Sequence, residues 1–136
     1  MVRFAGPAWI ALAREILSEL AAVHATPETR FSVCEVFTNA PPDVESSRPG
    51  VAAWHFYVEG KDVRVVEGEV DDVEIKITAD YASALRGART SYPSDPTERA
   101  RIRAAMGLGQ GQVVGDMSRL PPWLLELHNG LAARTA

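Results

Sequence analysis

The stretch AAWHFYVEGKDVRVVEGE, residues 52–69, restricts the fold of this chain more than any other. Trp54, Phe56 and Val58 alternate with His55, Tyr57 and Glu59, which gives an extended strand one apolar face and one polar face. The link Gly-Lys-Asp (60–62) is too short for anything but a tight hairpin, so the strands on either side of it must be antiparallel neighbours. A sheet with one apolar face has to bury that face under something.

Two further segments have the same character. RFSVCEVFT (30–38) and DVEIKITA (72–79) are short and rich in β-branched and aromatic residues, and Val73, Ile75 and Ile77 alternate with Glu74, Lys76 and Thr78. With strands at 30–38, 52–59, 62–69 and 72–79, the short link GEVDD (68–72) predicts that the second to fourth strands form a meander. The polar, proline-rich stretch 39–50 joins the first strand to the second.

The cover is helical. Residues 7–24 carry Trp9, Leu12, Ile16, Leu20 and Val23 at three- and four-residue steps, with Pro7 at the start and Pro27 beyond the end. Helices are also expected over 80–88, from the capping Asp80 to Gly87, and over 95–108, from Asp95 and Pro96. Residues 111–116 suit a fifth strand. A closing helix starts near Pro121 and Pro122 with Leu120, Trp123, Leu124, Leu127 and Leu131 as its apolar stripe, Glu126 and His128 lying elsewhere. The predicted architecture is α+β, a five-stranded, mostly antiparallel sheet with helices packed on one face. At 136 residues, 46% apolar and 24% charged, the chain (1–136) is expected to be one globular domain.

Charge and cysteine content narrow the partners. A net charge of −4 argues against nucleic acid or an anionic membrane surface, and the lone Cys34 leaves neither an internal disulfide nor a cysteine-based metal site. PAWIALA (7–13) is interrupted by Arg14 and Glu15 before it reaches a signal-peptide core, and no apolar run is long enough for a membrane span, so stable membrane insertion is not expected and a cytoplasmic location is.

No group of residues sits at catalytic spacing. Gly107, Gly109, Gly111 and Gly115 fit neither phosphate-loop pattern and read as turn and strand-edge glycines. His24, His55 and His128 are dispersed, His24 and His128 being placed at helix C-terminal ends, and no serine lies in a nucleophile elbow. The acidic residues Glu67, Glu69, Asp71, Asp72 and Glu74 read as solvated charge of a turn and a strand face. Arg86, Arg89, Arg99, Arg101 and Arg103 read as a solvated helix face or, alternatively, a hold for a phosphate-bearing moiety. Glu35 is odder, because it shares the inward face of Phe31, Val33 and Phe37, where a carboxyl needs a partner or a raised pKa. It reads as a bulge or strand end, or as a contact for a polar head group. No metal and no cofactor is expected.

From Trp54 onward the chain resembles the sterol carrier protein 2 family, through WHFYVEGKDVRVVEG (54–68), DVEIKITADYASALRGA (72–88) and GQVVGDMSRL (111–120). Residues 88–110 depart from the family pattern, and the terminal AARTA lacks a peroxisomal address, so a bacterial, cytosolic member is expected. The resemblance implies a non-enzymatic carrier with an apolar tunnel for a fatty acyl chain, acyl-CoA or sterol between sheet and helices. Its floor would be Trp54, Phe56, Val73, Ile75 and Ile77, and its lid Leu120, Trp123, Leu124 and Leu127. A continuous internal cavity above roughly 300 Å³, lined by these residues, would favour this reading. The alternative keeps the fold without the ligand: side chains fill the gap, and an apolar edge, with Leu125 turned outward, serves a homodimer or a partner enzyme.

Overall fold

The computed structural model describes residues 1–108 and 111–136. Helix α1 spans Pro7–His24, as the sequence predicts. Pro7 occupies the first turn, where no N–H is needed, and the Gly6 carbonyl accepts from the Ile10 N–H at 3.0 Å. Its buried face runs through Trp9, Ile10, Leu12, Ala13, Leu17 and Ala21; of the expected stripe, Trp9 and Leu12 lie on this face, Ile16 and Leu20 pack against the core half-buried, and Val23 falls outside it. Val23 is 75% exposed. Ala13 and Ala21 let the helix settle close on the core, and Ile16 turns to its flank, where a Cβ at Gly130 would lie 3.2 Å from Ile16 Cδ1.

The sheet has five strands: β1 (Arg30–Thr38), β2 (Val51–Glu59), β3 (Asp62–Glu67), β4 (Ile75–Asp80) and β5 (Gln112–Val114). Their order is β3-β2-β1-β4-β5. β1–β2, β2–β3 and β4–β5 are antiparallel, and β1–β4 is parallel, so the sheet is mixed and mostly antiparallel. The β2–β3 hairpin is the predicted one, with Gly60 at φ +58° in the first turn position.

The predicted meander is not formed. β4 leaves β3 and pairs with the central strand β1, Ile75 opposite Val33 and Ile77 opposite Glu35. A short link was expected to force neighbours, yet β3 stops at Glu67, level with Trp54, and frees residues 68–74 for a crossover. Those seven residues reach about 23 Å when extended, enough for three strand spacings of about 4.8 Å.

The crossover runs across the face opposite the helices, where Val70 and Val73 pack on Cys34, Val36, Val51 and Ala53. It is held by polar contacts: Gly68 N to the Ala53 carbonyl at 2.9 Å, Glu69 N to Ser47 Oγ and Glu74 N to Ser32 Oγ, both at 2.8 Å. Lys76 Nζ bridges Glu69 at 2.7 Å and Asp71 at 2.6 Å, and Arg48 also pairs with Glu69. Glu69 and Asp71 therefore clamp a connection, where the sequence suggested only solvated charge. Val73 lies on this far face, not beside Ile75 and Ile77.

On the other face lie α1, α2 (Tyr81–Ala88) and α4 (Leu125–Ala132), the last entered through a short 3-10 turn at Pro122–Leu124. Asp80 caps α2 by accepting from Ser83 N at 3.3 Å. Gly87 lies inside α2 and does not end it: a Cβ there would meet Leu108, Tyr92 and Arg103 at 3.4–3.5 Å. Helix α3 (Pro96–Ala105) stops three residues short of the expected end, because Gly107 takes φ +71° and the Leu108 N–H returns to the Arg103 carbonyl at 2.9 Å. That turn sends Leu108 inward, while α3 itself buries none of its residues.

The core between the layers is a chain of aromatic rings. Trp9 meets Phe4 edge-on at 5.2 Å and Trp54 edge-on at 5.1 Å, and Trp54 lies 5.0 Å from Phe56. Phe4 also touches Phe37 and Tyr81, whose hydroxyl donates back to the Phe4 carbonyl at 2.9 Å.

β5 is bounded by two glycines that the close approach of β4 requires. Gly111 has φ +68° and Gly115 φ +110°; a Cβ would sit 2.5 Å from the Thr78 carbonyl oxygen in the first case and 2.2 Å from that of Glu74 in the second. Gly109, the remaining glycine of the phosphate-loop comparison beside Gly107, lies outside the described residues. Gly115→Ala is expected to lower stability by about 1–3 kcal/mol in urea unfolding, through strain and displacement of β5.

Candidate functional site

A cleft of about 460 Å³ opens between the centre of the sheet and its helical cover. The strand alternation builds its floor: Val33, Glu35 and Phe37 from β1, Trp54 and Phe56 from β2, Ile77 and Ala79 from β4. α2 presents only small residues to it, Ser83, Ala84, Gly87 and Ala88, so space remains where larger side chains would fill it. Leu120, Pro121, Pro122, Leu124 and Leu125 form one wall, and Leu127, His128 and Leu131 of α4 another. Leu108 and Arg99 and Arg103 of α3 stand at the remaining side.

Of the nine residues the sequence pointed to, Trp54, Phe56, Ile77, Leu120, Leu124 and Leu127 surround this cleft. Three do not. Val73 is on the far face. Ile75, 1% exposed, is part of the packed core beside Val33. Trp123 turns away to stack on His24 at 5.7 Å and to meet Phe31 at 5.6 Å. Leu124 faces the cleft, while Trp123 packs against the core beside Phe31. Leu125 lines the cleft and does not point outward.

Phe4 and Trp9 at the N-terminal side, and Ala84 and Ala88 on α2, complete the lining without having been singled out. Trp9 stood on a visible apolar stripe. Phe4 gave no periodic signal, because it precedes the helix in a turn where Ala5 adopts φ +62°.

The polar groups of the cleft are mostly engaged. Arg99 Nη1 donates to the Pro93 carbonyl at 3.2 Å and the Ser94 carbonyl at 2.6 Å, and the Arg103 guanidinium lies 5.9 Å from the Tyr92 ring centroid. Arg101 pairs with Glu98, and Arg89 donates to the Ala136 carbonyl at 2.6 Å, so of the five arginines noted in the sequence only Arg99 and Arg103 border the cleft. His128 lies within α4, not at a helix end, and burial lowers its pKa. A carbonyl can only accept, so its Nε2 donates to the Thr90 carbonyl at 2.8 Å. Asn129 next to it bonds both backbone groups of Tyr92 at 2.9 Å. Together they pin the loop after α2 against α4.

Glu35 is the exception. It faces inward as the strand alternation requires, and it does not mark a bulge, since β1 pairs in regular register with Trp54 on one side and Ile77 on the other. Trp54 Nε1 donates to its Oε1 at 3.0 Å. Burial raises the carboxyl pKa to about 7, and the indole N–H partly opposes that rise.

This shift has a stability consequence with a definite sign. Between about pH 4.5 and 7 the folded chain holds a proton on Glu35 that the unfolded chain has released, so stability falls as pH rises through this window. Above about 7 the whole cost of a charged, desolvated carboxylate is present. Glu35→Gln is expected to match the wild type near pH 5 and to exceed it by about 1–3 kcal/mol near pH 8, compared by urea unfolding at the two pH values.

Among the described residues no helix is long and apolar enough to cross a membrane. No protein-family model matches the sequence, and no curated protein matches it. Among solved structures the chain is similar to one titled "UbiJ-SCP2 Ubiquinone synthesis protein", with a TM-score of 0.48 and 12% sequence identity over 98% of each chain.

Proposed function

We propose that this protein binds an apolar small molecule in the cleft between sheet and helices, and acts as a carrier or presenter of that molecule instead of transforming it. The observation that carries this reading is the 460 Å³ of space lined by Trp54, Phe56, Ile77, Leu120, Leu124 and Leu127. Such a volume, largely apolar with a few polar groups, is what a site for a lipid-like ligand requires. The cleft is open to solvent on one side, so an apolar molecule entering it would displace water from apolar walls.

The polar groups support binding over catalysis. Arg99 and His128 are spent on loop carbonyls, and among the described residues His128 has no hydrogen bond to a serine or cysteine. The alternative of a ligand-free docking module loses one support, because Leu125 faces the cleft.

Alkanols of increasing chain length, added in calorimetric titrations, test the reading directly. Each methylene buried contributes about 0.8 kcal/mol, so affinity should rise about tenfold for every two carbons until the cleft is full. Ala84→Trp, which places an indole in the cleft from α2, should abolish the binding while thermal unfolding stays close to the wild type. Chain-length-independent heats, or unchanged binding by Ala84→Trp, would overturn the proposal.

A further inference from the structure

Glu35 is the one cleft residue whose chemistry the packing does not explain. It sits on the central strand, flanked by Trp54 and Ile77 and in line with Val33 and Phe37. A valine there would continue the apolar floor at no desolvation cost. One carboxyl oxygen is used by Trp54 Nε1 at 3.0 Å, and the other has no hydrogen-bond partner among the described residues. No fully buried side-chain oxygen or nitrogen among the described residues lacks a partner. Oε2 is therefore open to the cleft that Glu35 lines.

The chemistry of that oxygen selects its partner. An ionised carboxyl only accepts, and a protonated one can also donate. A hydroxyl serves both forms, since it donates to the first and accepts from the second. A ligand carboxylate would set two acceptors and two negative charges together in a low-dielectric wall. A ligand ammonium would have to share the cleft with the guanidinium groups of Arg99 and Arg103.

We propose that Glu35 is the polar anchor of the cleft, its Oε2 hydrogen-bonding the hydroxyl end of an uncharged apolar ligand whose body lies along Trp54, Phe56 and Ile77. The inference rests on the apolar-ligand reading and narrows it: the site selects neutral alcohols, flexible or ring-shaped, over fatty acids. Trp54 is then a positioning residue, holding the carboxyl through Oε1 so that Oε2 faces the ligand.

Decanol, decanoate and a ring-shaped alcohol, cyclododecanol, titrated into the full chain by calorimetry at about pH 8.5, test this, since both carboxyl groups are ionised there. The wild type should bind both alcohols at least about tenfold more tightly than decanoate. Glu35→Leu should lose about tenfold for the alcohols and gain for decanoate, collapsing the preference. Glu35→Gln keeps an acceptor and adds a donor, so it should hold the alcohols within about threefold of the wild type while admitting decanoate. Alcohol affinity untouched by Glu35→Leu, or a preference that survives Glu35→Gln, would overturn the anchor and leave the apolar-ligand reading standing. No binding of any of the three by the wild type would overturn both. If Glu35→Leu does not fold, the Glu35→Gln comparison decides alone. If only one alcohol binds, the same variant comparisons on that alcohol decide for or against the anchor.

Discussion

The indole of Trp54 joins three parts of the molecule. Its edge-to-face contact with Trp9 at 5.1 Å ties the first helix to the sheet, its proximity to Phe56 extends the aromatic layer along β2, and its N–H fixes Glu35 on the neighbouring strand. A Trp is large enough to bridge two layers and still expose part of its ring to a gap between them. With a smaller residue at 54, α1 would lose its contact with the Trp54 ring, and the Glu35 carboxyl its one hydrogen bond among the described residues. The packing of the core and the polarity of the cleft are thus two consequences of one side chain.

The legible part of the fold was the part written in short-range patterns. Every predicted strand and helix exists, the 7–24 helix and the 30–38 strand to the residue, because alternation, prolines and capping residues act within a few positions. The meander failed because strand partnership is decided at long range. Nothing local to 62–75 says that β3 ends at Glu67 or that Val70 and Val73 have a second apolar surface to cover. Val73 obeyed the alternation in sequence but precedes the strand proper, which begins at Ile75.

The site was readable to a similar depth. Trp54, Phe56 and Ile77 follow from strand parity alone, and Glu35 was conspicuous as a carboxyl on an apolar face. Trp123 was misplaced because its partners, His24 at the end of α1 and Phe31 on β1, are brought to it only by the tertiary fold. The small residues of α2 carried no signal, since alanine and glycine at 84, 87 and 88 look like ordinary helix until the space in front of them is seen.

The two boundaries of the cleft differ in how firmly they are built. Its floor belongs to β1, β2 and β4, strands paired on both sides and backed by the crossover with its Lys76, Glu69 and Asp71 bridge. Helix α3, by contrast, contributes no buried residue, and its hold on the body passes through contacts such as Thr90 with Met106 and the turn that inserts Leu108. Opening the cleft on that side breaks no sheet ladder and exposes little apolar surface, so its free-energy cost is small beside that of unfolding. The rim on that side is therefore held less firmly than the strand template beneath it.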